Sequence, residues 1–441
     1  MIALAGLWLL AGRNRAVDPV AKVPAAPAAK PGQETSNLPP PGAKVRLSDP
    51  RSPHCDRSAL LHPEDAPVEF ARLEAAGSSL LKDIGAQLST QGLPAKRALG
   101  QYLQMFAAAD QSRSEAEAKE PQCATRDGCP DLAARAAEQG ARGYRDALAQ
   151  LATQGSDPQV YALAYYACAG TKASVDPGQC AQVSALQWAR IEPANVVPWL
   201  YLAGEAAARH QAPLVEDALF HASRAQASDS HWSTLAGLLD TNAYQAAPQD
   251  VQDAAVVTAL GVVTAFSIPQ YQAIVKFCSI DGVQDANRHQ LCDALASVMT
   301  EHADTLISVH LGTHIGERLG WSAQRLQSLG DAKDAMFQLG RERSGGGSDD
   351  CQALPKFRAW TIALLRYGEI GAFQRTLALT RQTEAQLAQR YRVELVQQRE
   401  LEAAAREAPP AADPNAAAAN SAPREGQETA PSGPNGIGGR L

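Results

Sequence analysis

Eight cysteines and one close set of histidines are the residues here whose types and spacing suit chemistry. Six of the cysteines form local pairs: Cys123 with Cys129 in "CATRDGC", Cys168 with Cys180 in "CAGTKASVDPGQC", and Cys278 with Cys292 in "CSIDGVQDANRHQLC". Asp, Gly, Pro and Asn fill the intervening residues, so each pair flanks a turn. None has the C-x-x-C spacing of zinc ribbons or thioredoxin-like motifs. Two readings stand: a disulfide framework in an oxidising compartment, or reduced buried thiols in a cytosolic helical protein. We expect the disulfides. Eight cysteines allow roughly a hundred pairings; short loop closure selects the local ones, and Cys55 with Cys351 follows by elimination.

His310 and His314 lie four apart in "HLGTHIGE", with Glu317 three further on and His302 eight before. On a helix both imidazoles share one face, where Glu317 would complete a metal site. The zinc signature H-E-x-x-H needs Glu at 311, where Leu311 stands, and Gly312 and Gly316 weaken the helix. We therefore expect histidines packed or exposed in a helical layer, with no metal, cofactor or catalytic set. No G-x-S-x-G, phosphate loop or dinucleotide fingerprint occurs. Capping or solvation accounts for the paired carboxylates Glu216-Asp217 and Asp349-Asp350.

The elements that must position these residues read as helices. The composition is alanine-rich and aromatic-poor, and alanine loses no side-chain entropy in a helix. A net charge of −7 and no dense Lys/Arg run exclude a nucleic-acid surface. Residues 1–12 form an apolar, signal-anchor-like stub, too short for the roughly twenty apolar residues that span a bilayer. Either the written start lies inside a longer anchor helix or the stub is a plain apolar terminus; we expect the anchor. Residues 13–54 are a Pro/Ala-rich linker. Helical periodicity then runs through 55–379, with Asp157-Pro158 as a cap and first position and a helical pair around Gly368. "VVTALGVV" suits a buried strand by itself, but its neighbours are helical. Residues 380–408 form a charged helix, and 409–441 have the composition of a disordered tail.

One joint, "EPANVVPWLYLAGEAAA", carries a resemblance. Trp199, Leu202 and Ala203 fall early in one helix, Ala218, Ala222 and Ala225 fall in the next, and Pro193 closes the unit before, with Ala181 and Ala185 on its second helix. Small residues let the backbones of paired helices approach while large ones fill the groove between hairpins. Residues 157–226 thus resemble tetratricopeptide repeats (TPRs), with departures at the Cys168–Cys180 insertion and at Ser230, where a closing proline would stand.

The fold expected is all-α: an irregular, TPR-like stack of antiparallel helical hairpins with disordered tails. The function it implies is non-enzymatic, a protein-interaction or scaffold module of the bacterial cell envelope. It would be periplasmic, held at the inner membrane by the N-terminus, and would bind an unidentified peptide or helix in its groove. Tyr161, Tyr165, Trp199, Leu202 and Glu205 are the groove candidates, with inter-hairpin packing as the competing role of the aromatics. The alternative is a helical envelope hydrolase or a metal-dependent enzyme using His310 and His314.

Overall fold

The computed structural model describes residue 60 and residues 66–119, 132–169, 177–264, 269–343 and 353–407. Within them every regular element is a helix; the only extended pairing is two isolated parallel bridges, Asn195 with Ala227 and Ser228 with Ala303. The all-α expectation holds. No helix among the described residues is long and apolar enough to cross a membrane. The stub at 1–12, the linker, the tail and Cys55, Cys123, Cys129 and Cys351 lie outside the described residues.

Helices α1 (Pro67–Ser89), α2 (Pro94–Lys119), α3 (Leu132–Thr153) and α4 (Pro158–Cys168) pack in chain order. Asp157 starts α4: its carboxylate accepts the N–H groups of Gln159 and Val160 at 2.9 and 3.4 Å, and Pro158 takes the first turn. Helices α5 (Ala185–Ile191), α6 (Val196–Ala208) and α7 (Ala212–Ala222) follow, capped at the first two by Ser184 and Asn195. Nearly every side chain of α4 and α6 is buried, so these two apolar helices are central.

Residues Trp232–Asp240 form a 3-10 stretch in place of the expected α-helix. With three residues per turn, Trp232, Leu235 and Leu238 share one face, and that face meets the core. Then come α8 (Asn242–Ala246), α9 (Gln249–Thr264), α10 (Gln272–Phe277), α11 (Ala286–Glu301), α12 (Leu306–Arg318), α13 (Ala323–Arg343), α14 (Ala353–Ala378) and α15 (Glu384–Glu407). The "VVTALGVV" stretch is helical within α9. Sequential pairing accounts for α1 to α7 and α11 to α14, but α1 also packs on α9 and α6 on α10. Asp253 of α9, 4% exposed, forms a two-bonded ion pair with Arg358 of α14, both N–O distances 2.5 Å. Two compact units divide at Tyr391/Arg392; in the second, the described residues 392–407 are the C-terminal two thirds of α15.

Cys168 and Cys180 are disulfide-bonded with Cα atoms 5.4 Å apart, and Cys278 and Cys292 with 5.8 Å. All four are buried. The first bond ties the end of α4 to a 3-10 turn at Gly178–Gln182, and the second ties the end of α10 to α11. These are the two stapled hairpins expected from the sequence.

Candidate functional site

The groove candidates lie inside the core. Tyr161, Tyr165, Trp199 and Leu202 are 1, 2, 7 and 5% exposed, because neighbouring helices cover most of α4 and α6. Tyr165 packs edge-on to Tyr201 at 4.8 Å and tilts on Trp188 at 5.4 Å. The Trp199 ring stacks on His221 at 4.6 Å, and its indole N–H donates to the Pro193 carbonyl at 3.1 Å, holding the joint between α5 and α6. Tyr161 accepts the Ser184 N–H at 3.2 Å. These four side chains fill the contact between helices and offer a partner no face, which corrects their placement in a groove. Glu205 keeps part of its surface, but it accepts the Tyr165 hydroxyl at 2.8 Å and the Arg209 guanidinium at 3.0 Å.

His310 and His314 do share a face of α12, ring centroids 4.4 Å apart, and Glu317 reaches His314 Nδ1 at 2.8 Å. His302 stands apart at the C-cap of α11. Among the described residues no group of three or more His, Cys, Asp or Glu is arranged to hold a metal ion. Gly312 and Gly316 do not break α12. A Cβ at 312 would meet Thr300 and the Ala296 carbonyl of α11, and one at 316 would meet the Trp321 ring, so both mark close approach.

A buried polar junction went unread in the sequence. Asn195, 1% exposed, accepts the N–H groups of Val197 and Asp229 and donates to the Asp229 carbonyl at 2.7 Å. The run 227–231, with isolated bridges at Ala227 and Ser228, then meets residues 302–308. Ser228 N–H donates to the His302 carbonyl, Asp304 N–H donates to the Ser228 carbonyl, and the Ser228 and Ser308 hydroxyls lie 3.1 Å apart. His231, 5% exposed and in left-handed backbone at φ 60°, shares a hydrogen bond with Glu192 at 2.9 Å. Burial works to lower the His231 pKa, but Glu192, Asp229 and Asp304 outweigh it and leave it raised. Asp304 Oδ2 accepts the Ser230 N–H at 2.7 Å and the Ser230 hydroxyl; Oδ1 is buried without a partner. Burial pushes the Asp304 pKa up to about 7, with Asp229 and Glu369 adding to the rise against the Ser230 bonds.

The junction also shapes the surface. Gly368 sits at φ 69°, ψ −178°, backbone that only glycine adopts freely, and it kinks α14. The Asp304 carbonyl accepts the Glu369 and Ile370 N–H groups that restart the helix, and Glu369 in turn accepts the Leu306 N–H at 2.7 Å. Residues on both sides of the kink then line an open cleft of about 490 Å³. Its wall is apolar: Trp360, Ile362, Ala363, Tyr367 and Leu379, the last 86% exposed. Four cations, Arg343, Lys356, Arg366 and Arg375, line the same cleft. Arg375 lies 3.7 Å over the Tyr367 ring. Arg366 has only a long, exposed pairing with Asp240 at 3.9 Å. The other charges of α14 are spent elsewhere: Arg358 on Asp253 and Glu369 on Leu306.

No family model matches the chain, and no curated protein or solved structure is significantly similar to it.

Proposed function

We propose that this protein is a non-enzymatic docking module of the bacterial cell envelope that seats an acidic, apolar-anchored peptide segment in the α14 cleft. The observation that carries this reading is the cleft itself. It joins an apolar wall with four cations on a chain whose net charge is −7. A segment with Leu or Phe anchors and flanking Asp or Glu matches it in both shape and sign. An oxidising setting such as the periplasm fits the two buried disulfides. The TPR-like relationship of α4 to α7 belongs to the same proposal; its aromatics serve the scaffold, and the docking face lies on α14.

The test is fluorescence polarisation with a labelled helical peptide carrying Leu anchors and a Glu-rich opposite face. Its Lys-rich counterpart is the control. Trp360→Ala removes a wall anchor and should weaken binding by roughly thirtyfold, from about 2 kcal/mol for a central aromatic. Arg366→Glu with Arg375→Glu should weaken the acidic peptide and flatten its salt dependence, because the attraction that salt screens is gone. Equal affinity for both peptides, or capture of anionic vesicles with no peptide bound, overturns the proposal.

A further inference from the structure

A second cleft, of about 290 Å³, lies where α1 and α2 meet the last two turns of α3. Arg97 and Gln101, four apart, present one face of α2 to it. Ala147, Gln150, Leu151 and Gln154 present one face of α3 at the i, i+3, i+4, i+7 spacing of an amphipathic helix. Ser89 closes the end; its hydroxyl is already committed to the Gly85 carbonyl at 2.8 Å and the Gln104 amide at 2.6 Å.

The other polar groups of this cleft have no partner among the described residues. Arg97 Nε is buried without an acceptor, and no carboxylate among the described residues pairs with its guanidinium. The side-chain amides of Gln101, Gln150 and Gln154 form no hydrogen bond within the described residues either. Arg97 is half-buried and only its Nε is enclosed, so an anion in the cleft would complete the hydrogen bonding of a guanidinium that the described residues leave without a carboxylate. Gln101 is also half-buried, and Gln150 and Gln154 are exposed. An enclosed Arg97 Nε and three glutamine amides with no partner among the described residues thus meet at one open cavity, where a ligand can bond to all of them.

We infer that this cleft binds a small monocarboxylate carrying a neighbouring amide, of the size of an N-acyl amino acid. The planar fork of Arg97 matches a carboxylate through two parallel N–H···O bonds. A single cation suits a single negative charge. The glutamine amides, each donor and acceptor, match an amide group beside it. The small volume fits one such residue, with Leu151 and Ala147 against its side chain. The site is independent of the α14 cleft and stands or falls apart from it.

The experiment is isothermal titration of the full, oxidised chain with N-acetylalanine, its C-terminal amide, acetate, and a tripeptide acid ending in alanine. N-acetylalanine is expected to bind in the millimolar range or tighter, and its amide at least about tenfold more weakly, since a charged hydrogen bond contributes about 1.5–3 kcal/mol. Arg97→Gln should abolish the response. Gln150→Leu, at an exposed position, should weaken N-acetylalanine but leave acetate unchanged. It keeps the inference testable should Arg97→Gln fail to fold. A tripeptide bound as well as N-acetylalanine assigns the source as a peptide end, and one bound more weakly assigns a free acid. No heat from N-acetylalanine at about 10 mM, or undiminished binding by folded Arg97→Gln, overturns the inference.

Discussion

Asp304 should make this protein lose stability as pH rises through neutrality. Its carboxyl is enclosed by Ser230, whose N–H and hydroxyl favour the charged form, and by Asp229 and Glu369, which oppose it. Burial is the largest influence and lifts the pKa from 3.8 to about 7. A proton is therefore held more tightly in the folded chain than in the unfolded one. The stability this supplies is complete below about pH 4, declines as pH rises to about 7, and is absent above. A difference of about 3 pH units corresponds to about 4 kcal/mol, and screening by penetrating water reduces the observable effect to about 2–4 kcal/mol. His231 adds to the same trend, since its raised pKa means stability lost as pH climbs past its folded value; Glu192, whose pKa is lowered, contributes oppositely and only in acid. The assay is urea unfolding across about pH 4 to 8 for the wild type and Asp304→Asn. Asparagine keeps the acceptor for Ser230 and cannot ionise. Its stability relative to wild type should improve by about 2–4 kcal/mol between the acid and alkaline ends. Parallel curves for the two proteins would refute the reasoning.

Reduction of Cys168–Cys180 and Cys278–Cys292, whose sequence separations are 12 and 14, should each cost about 3 kcal/mol of unfolding free energy; mass mapping without reduction should return those two linked pairs. Gly368→Ala forces a Cβ into positive-φ backbone beside the Asp304 carbonyl, so a loss of about 1–3 kcal/mol in urea is expected, together with weaker binding of the acidic peptide. Arg358→Met leaves Asp253 charged and buried and should cost about 3–5 kcal/mol, much of it regained in the Asp253→Leu double variant, as a double-mutant cycle would show.

Local signals carried through from sequence to structure. Turn formers between close cysteines gave the two hairpin staples, Asp157-Pro158 started α4, and Gly368 marked the kink. Periodicity could place Trp199 and Tyr165 on helices but not say which faces stay open. A helix apolar on all sides has no open face, and the absence of polar residues along "VVPWLYLA" and "VYALAYYA" was the sign that α6 and α4 are interior. The junction was hidden for a different reason. Asn195, Ser228 and Asp304 each read as ordinary loop polar residues, and only the meeting of three segments, 34 residues apart from Asn195 to Asp229 and 74 from Ser230 to Asp304, buries them together. The cations of α14 could not be sorted by sequence either, because Arg358 is taken by an aspartate 105 positions away while Arg366 and Arg375 stay at the surface.

Hydrogen-bond accounting separates the polar groups that hold this fold from those that leave work undone. Asn195 uses both ends of its amide on backbone, so its burial is settled by the chain itself. Asp304 and Arg97 each retain a buried atom without a partner, yet the two are not alike. A carboxyl can escape the cost of desolvation by taking up a proton, and the rise of the Asp304 pKa to about 7 is that escape. Arginine has no such route, because its guanidinium stays charged at any pH the protein survives. At Arg97 only Nε is enclosed, and whatever occupies the open cleft, water or a ligand, meets the rest of the group. Burial predicts a pH response at Asp304, and an unpaired, half-buried guanidinium predicts a carboxylate at Arg97; a protein in which Asp304→Asn flattened the pH profile while Arg97 bound no anion would separate the two.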